Sequence, residues 1–268
     1  MGARYKNAWE LSGHCFALSG MDQVGKSQAA PIRSAAIFGS SGAIGAGLCA
    51  QLSADGCGTI YAGSRSGEVP AGTNAHGFAF DLREEHSIKA ASDMMKDDPP
   101  ECVVVTTGVL TLPDGTGPER SLKRLDPAAM AQVLALNTIG PAIIAKHILP
   151  LMPRDRRFVF AALSARVGSI SDNGLGGWHS YRASKAALNM LIKNFALEMG
   201  RTHKDGVIVG LHPGTVDSAL SQPFQTNLPE GQLTEPNDAA ANLLDVLNGL
   251  EPGESGKVFD FAGKAIPA

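Results

Sequence analysis

The stretch Ser34-Ala-Ala-Ile-Phe38-Gly39-Ser40-Ser41-Gly42-Ala43-Ile44-Gly45 decides how the rest of the chain is read. Its first five residues are small or apolar and make a buried strand; the glycines make a tight turn, and a helical pattern runs on through Leu52. A Gly-rich turn between strand and helix brings backbone N–H groups close to a pyrophosphate at the helix N-terminus. Glycine clusters are common in loops, so the position after a first strand is what gives this one meaning. Gly39, Ser40, Ser41, Gly42, Ala43, Ile44 and Gly45 are therefore expected to cradle a dinucleotide.

Outward from that turn, short apolar runs alternate with helical stretches. Strands are expected at Gly58–Gly63, Gly77–Asp81, Glu101–Thr106, Arg157–Leu163, Gly206–Leu211 and Lys257–Phe261. Cys102-Val-Val-Val105 is apolar on both faces, as a fully buried strand requires. Helices are expected over Arg83–Lys96, from an Asp126 cap and Pro127 to Leu149 with a bend at Gly140-Pro141, along the stretch that follows Ser180, and over Asn237–Leu250. Repeated βα units of this kind predict an α/β fold: one doubly wound parallel sheet, Rossmann-like, of about seven strands with helices on both faces. Residues 112–120 and 221–235 read as loops. The domain is expected to run from 34 to 268, with no internal repeat.

Two further patterns carry chemistry. In Ser180-Tyr181-Arg-Ala-Ser-Lys185 a phenol and an ammonium stand four apart, hence one above the other on a helix. A cation so placed favours the phenolate and lowers the tyrosine pKa, which would make Tyr181 a usable proton donor and acceptor. The second strand ends in Ser64-Arg65, about twenty residues past the last glycine, where an acid would accept from a ribose 2′-OH. No acid occurs there before Glu68, and the Arg65 guanidinium suits a 2′-phosphate, so NADP(H) is favoured over NAD(H).

From residue 34 to its C-terminus the chain resembles the short-chain dehydrogenase/reductase superfamily, and within it the C-factor-type oxidoreductases. The resemblance rests on Gly39-x-x-x-Ala43-x-Gly45, Asp81-Leu82, Thr106-Thr107-Gly108, Asn137, Ser164, Tyr181-x-x-x-Lys185 and His212-Pro213-Gly214-Thr-Val216. It implies an NADP-dependent carbonyl–alcohol oxidoreductase in which Tyr181 exchanges a proton with the substrate oxygen. Lys185 would tune that tyrosine and hydrogen-bond the nicotinamide ribose, Ser164 would hold the carbonyl, and Asn137 would anchor a relay water. Asp81 would meet the adenine amine or cap the next helix, while Leu82 follows it beside the cofactor. Pro213, Gly214 and Val216 would lie along the carboxamide. Trp178, Leu220, Pro223 and Phe224 would line an apolar substrate pocket. Helices after Pro127 and Tyr181 form dimer faces in many similar proteins, so a homodimer or homotetramer is compatible, as is a monomer.

The pattern departs from the family in three places. Ala43 replaces a glycine, with Gly42 offering a GxxGxxG reading instead. Phe38 stands where threonine is usual. Val105-Thr106-Thr107-Gly108 replaces Asn-Asn-Ala-Gly, so the asparagine contacts are lost or pass to threonine hydroxyls. None removes a catalytic group; cofactor affinity is what they affect.

Composition narrows the alternatives. The 268 residues are 44% hydrophobic and 18% charged with net charge −3, which gives no support for nucleic-acid binding. No apolar run reads as a membrane span. The four cysteines have no CxxC spacing and read as reduced thiols of a cytoplasmic protein, with no metal site. Residues 1–33 lack a signal-peptide core; they fit a weak transit peptide or, better, a poorly ordered extension. Gly20-Met-Asp-Gln-Val-Gly25-Lys26-Ser27 matches a P-loop, but Pro31 leaves no room for the helix that motif must open. The rival function is a catalytically weak dinucleotide-binding regulator or signal of the C-factor type.

Overall fold

In the computed structural model, which describes residues 32–229 and 231–268, strands and helices alternate as expected. The order is β1 (Ser34–Phe38), α1 (Ala43–Ala54), β2 (Thr59–Ser64), β3 (His76–Ala79), α2 (Glu85–Met94) and β4 (Cys102–Val105). Next come α3 (Pro127–Leu134), α4 (Gly140–Ile148), β5 (Phe158–Leu163), α5 (His179–Met199) and β6 (Gly206–His212). The chain closes with β7 (Thr215–Val216), β8 (Leu233–Thr234), α6 (Pro236–Gly249), β9 (Val258–Asp260) and β10 (Ala265–Ile266). The N-terminal extension and the P-loop match fall outside the described residues, apart from Ile32 and Arg33.

One sheet runs β10-β9-β6-β5-β4-β1-β2-β3, parallel except for β10. It has eight strands rather than about seven. The extra one is the two-residue edge pairing Ala265 and Ile266 with Phe259 and Val258, too short to show a period in the sequence. Strand order reverses between β1 and β4, which opens a crevice at the carboxyl ends of the strands.

Each face of the sheet buries its own core. Leu48, Leu52, Leu243 and Leu247 of α1 and α6 cover one side of β1, β4, β5 and β6. Ile88, Ile144, Ile148, Leu188 and Ile192 from α2, α4 and α5 cover the other. Central strands covered on both faces must be apolar at every position, which is why β4 and β5 read as continuous hydrophobic runs. Phe38 belongs to this core: its ring meets Phe78 and Phe80 edge-on at 5.1 and 5.2 Å.

The expected bend in the long helix takes a specific form. The Asp126 carboxylate caps α3 by accepting from Ala129 N at 2.7 Å. Between α3 and α4 the chain widens into one π-helical turn, Ala135–Ile139. Pro141 has no N–H to give to the carbonyl of Asn137, so a regular helix cannot pass this point. The whole Pro127–Leu151 segment, 25 residues, is long and apolar enough by length and composition to cross a membrane, contrary to the sequence reading. Asn137, Thr138, Lys146 and His147 interrupt the run in sequence, although its mean hydropathy stays high. Here Val133, Ile144 and Ile148 are buried inside the fold.

Candidate active site

The phosphate turn is built from backbone. Gly39 sits at φ +109, and a Cβ there would meet Thr106 Oγ1 at 2.5 Å. A Cβ on Gly45 would lie 2.2 Å from Gly39 O, so the first turn of α1 presses directly on the loop. Gly39 N and Ser40 N both donate to Gly63 O, at 2.9 and 2.8 Å, and Ser40 Oγ adds a third bond at 3.0 Å. The Ser40 hydroxyl thus ties the turn to β2, while Ser41 is exposed. Thr106 Oγ1 donates to Phe38 O and Gly39 O, both at 3.1 Å, so a threonine hydroxyl clamps the turn to β4.

These residues fit a dinucleotide. Gly42 caps α1 without a side chain, and no acid stands in the first helical turn, so that end is left positive. Thr107 Oγ1 is buried beside Gly39 with no hydrogen-bond partner, an orphan that a bound polar group would satisfy. A groove of about 520 Å³ runs from Ser40, Ser41 and Ala43 past Ser66 and Glu68. At its β2 edge the Ser64 hydroxyl accepts from Gly67 N at 3.0 Å and shapes the turn. Arg65 is exposed and has no ion pair among the described residues. Its charge reaches Asp81, whose carboxyl is lowered first by hydrogen bonds from Arg83 and more weakly by Arg65.

Asp81 is more engaged than the sequence implied. Its carboxylate accepts from Arg83 N at 2.9 Å and from the Arg83 guanidinium at 3.0 and 3.2 Å. It shapes its own turn and does not cap α2, whose N-cap is Glu84. Leu82 packs on α4, where a Cβ on Gly140 would strike it at 2.8 Å.

Tyr181, Lys185, Ser164 and Asn137 gather around the loop that leaves β4. A Cβ on Gly108 would meet Asn137 Oδ1 at 3.2 Å and Lys185 Nζ at 3.4 Å, so a larger residue there would press on both side chains. Lys185 Nζ donates to Leu163 O at 2.8 Å, the carbonyl just before Ser164, and lies 5.8 Å from the Tyr181 ring centroid. Asn137 is fully buried, and its side chain is saturated. Oδ1 accepts from Val109 N at 2.7 Å; Nδ2 donates to Val109 O at 2.8 Å and to Ser184 Oγ at 3.1 Å. The side chain is therefore a clamp on the loop that leaves β4. Asn137→Ala would leave the Val109 N–H and C=O unpaired and should cost about 1–3 kcal/mol of stability. Denaturant midpoints measure this, and a change below about 0.5 kcal/mol would remove the clamp.

The pKa argument from helical spacing is corrected here. Burial pushes the Tyr181 phenol up to about 12 and brings the Lys185 ammonium down to about 8. Spacing counts the neighbouring charge but not the loss of water, which disfavours both phenolate and ammonium. The phenol is held protonated.

Two residues were missed in the sequence. Ser164 Oγ donates to Asn189 Oδ1 at 2.5 Å, and Asn189 stands one further turn along the Tyr181–Lys185 face of α5. The 181, 185, 189 spacing was the available signal. Glu119, from the loop, accepts from Ser180 N at 3.0 Å and from the Ser180 hydroxyl, capping α5 from sixty-one residues away. Its backbone oxygen also accepts from Trp178 N at 2.5 Å. Trp178 has φ 49, an uncommon left-handed conformation for a bulky residue. That conformation aims its indole at Tyr181 (6.2 Å) and Phe224 (5.2 Å), so the three rings form one aromatic cluster. Pro213, Gly214 and Val216 follow β6; the Val216 carbonyl accepts from Ser221 Oγ at 2.5 Å, folding the next loop so that Phe224 reaches Trp178.

Residues 33–229 match the profile of the family described as short chain dehydrogenase. The chain belongs to the short chain dehydrogenase family. It is 34% identical to C-signal of Myxococcus xanthus over 148 residues, 55% of this chain and 83% of that protein. It is 36% identical over 134 residues to 1-hydroxy-2-glutathionyl-2-methyl-3-butene dehydrogenase of Rhodococcus sp. (strain AD45). That match covers 50% of this chain and spans little more than half, 56%, of the Rhodococcus protein. Among solved structures, the carbonyl reductase Sniffer of D. melanogaster superposes with TM-score 0.76 at 20% identity, over 88% of this chain and all of that one. The NADPH-bound carbonyl reductase from chicken fatty liver also gives 0.76, at 22% identity, over 93% of this chain and 100% of its own. Two of the departures from the family pattern have structural reasons in this chain. Phe38 fills the core in place of a threonine, and Thr106 supplies the hydroxyl that holds the turn.

Proposed function

We propose that this protein is an NADP(H)-dependent oxidoreductase that interconverts an apolar carbonyl compound and its alcohol, with Tyr181 as the proton-transferring group. The observation that carries this reading is the joint burial of Tyr181 and Lys185 against the strand end that bears Ser164. Burying an ammonium and a phenol side by side is costly for a fold and useful for proton transfer. Gly39 to Gly45, Thr106, Thr107 and the residues from Pro213 to Val216 would hold the dinucleotide, which when bound supplies or accepts hydride. Ser164 would turn its hydroxyl proton from Asn189 Oδ1 to the substrate oxygen beside the phenol. Lys185 would stabilise the phenolate left behind, and the Asn137 carbonyl would hold the water that returns the proton. A phenol held protonated at neutral pH is in the state that proton donation to a carbonyl oxygen requires. The test is NADPH consumption with a panel of aryl and alkyl aldehydes and ketones. Cofactor binding with no turnover of any of them would instead favour a dinucleotide-binding signal protein, the alternative to which the similarity to C-signal lends support.

Cofactor choice has its own test. Arg65 is an exposed cation at the β2 end with no ion pair among the described residues, and a charge-assisted hydrogen bond is worth about 1.5–3 kcal/mol, or about ten- to a hundredfold in affinity. NADPH should bind more tightly than NADH by that factor, less so at high salt because Arg65 is exposed. Arg65→Ala should remove most of the preference. Equal affinities in the unmodified protein would show that Arg65 serves solvent alone.

A further inference from the structure

A cavity of about 470 Å³ lies between the loop 110–126 and the first turns of α3 and α5, with Tyr181 in its wall. Its inner surface is apolar: Leu110, Leu112 and Val133 are all buried. Two acids and two arginines line the rest. Both acids are spent on helix ends. Asp126 caps α3 through Ala129 N, and Glu119 caps α5 through Ser180. Burial alone would raise the Glu119 carboxyl, but the bonds from Ser180 outweigh it and keep the group ionised. Each carboxylate thus answers the positive end of a helix and, among the described residues, makes no ion pair with either arginine. Arg120 and Arg124 are exposed and make no side-chain hydrogen bond or ion pair with any described residue. The cavity therefore has an apolar floor, Tyr181 in its wall and, at its rim, two guanidinium groups that make no ion pair with any described residue.

We propose that this cavity binds an amphipathic carboxylate, its apolar body on Leu110, Leu112 and Val133 and its anionic end on Arg120 and Arg124, and presents its carbonyl to Tyr181. A planar guanidinium fork matches a carboxylate in two parallel hydrogen bonds, which a neutral ester cannot reproduce. The identity of this ligand as substrate rests on the oxidoreductase reading; its binding does not.

The experiment compares a homologous series of aryl ketones ending in a carboxylate with their methyl esters, using the full chain and NADPH. For the best chain length, the acid should have a KM at least about tenfold below that of its ester, a gap that narrows with added salt. In the R120A/R124A double variant the acid's KM should rise to that of the ester, and R120K/R124K should recover part of the difference. Calorimetric binding of the acid without turnover is the second measurement. Binding that depends on both arginines, with neither compound reduced, would uphold the anion site and overturn the role given to Tyr181. Equal KM and equal binding for acid and ester, or acid binding undiminished in R120A/R124A, would overturn the anion site whatever the fate of the oxidoreductase reading.

Discussion

Replacing Tyr181 with phenylalanine should lower turnover by at least about a hundredfold, the usual contribution of a positioned acid–base group. The substitution keeps the ring, and with it the edge contact to Trp178 at 6.2 Å and the packing on Leu110 and Ala165. Only the hydroxyl goes. Among the described residues that gather around this loop, it is the donor whose proton is not already given to another residue. Ser164 gives its proton to Asn189, and Lys185 gives one to Leu163 O. Stability should be nearly unchanged, because the hydroxyl makes no hydrogen bond to any described residue that the fold would lose, and NADPH affinity should move little. Near-normal kcat in Tyr181→Phe, measured with saturating NADPH and a substrate of the unmodified protein, would remove the tyrosine from the chemistry.

The sequence already showed the parts of this site that local spacing controls, and it missed the parts that topology controls. The β1 turn and the Tyr181–Lys185 pair each lie within one supersecondary unit, so glycine positions and a four-residue interval were enough to find them. Asp126 followed by Pro127 announced α3 in the same way. Glu119 gave no such signal. It sits in a Pro- and Gly-rich loop that reads as linker, and it becomes a cap only because the fold brings that loop to the start of α5. Asn137 was found as a residue, but its side-chain partners, Val109 and Ser184, come from two other elements. The same limit explains the tyrosine. Helical geometry shows which charge stands nearby, whereas depth of burial, a property of the whole sheet and its covering helices, decides the sign of the shift.

Lys185→Met provides the sharper test because that lysine joins fold and chemistry. Its ammonium is brought down to about 8 by burial, from an ordinary 10.5. If the charged form stabilises the phenolate left when Tyr181 donates, carbonyl reduction should be level below about pH 8 and fall above it as the ammonium loses its proton. In Lys185→Met that descending limb should vanish, with kcat/KM reduced by at least about tenfold at neutral pH. A second readout needs no substrate. Between pH 8 and 10.5 the unfolded chain binds a proton at this lysine that the folded chain has released. Stability therefore rises with pH across that window in the unmodified protein, and this contribution should be missing from the variant. Methionine also leaves Leu163 O without the donor now 2.8 Å away, so some loss of stability at every pH is expected beside the pH-dependent part. The two effects separate by their pH dependence. If the pH–rate profile and the pH–stability slope of Lys185→Met both match those of the unmodified protein, the buried ammonium neither titrates near 8 nor supports the tyrosine.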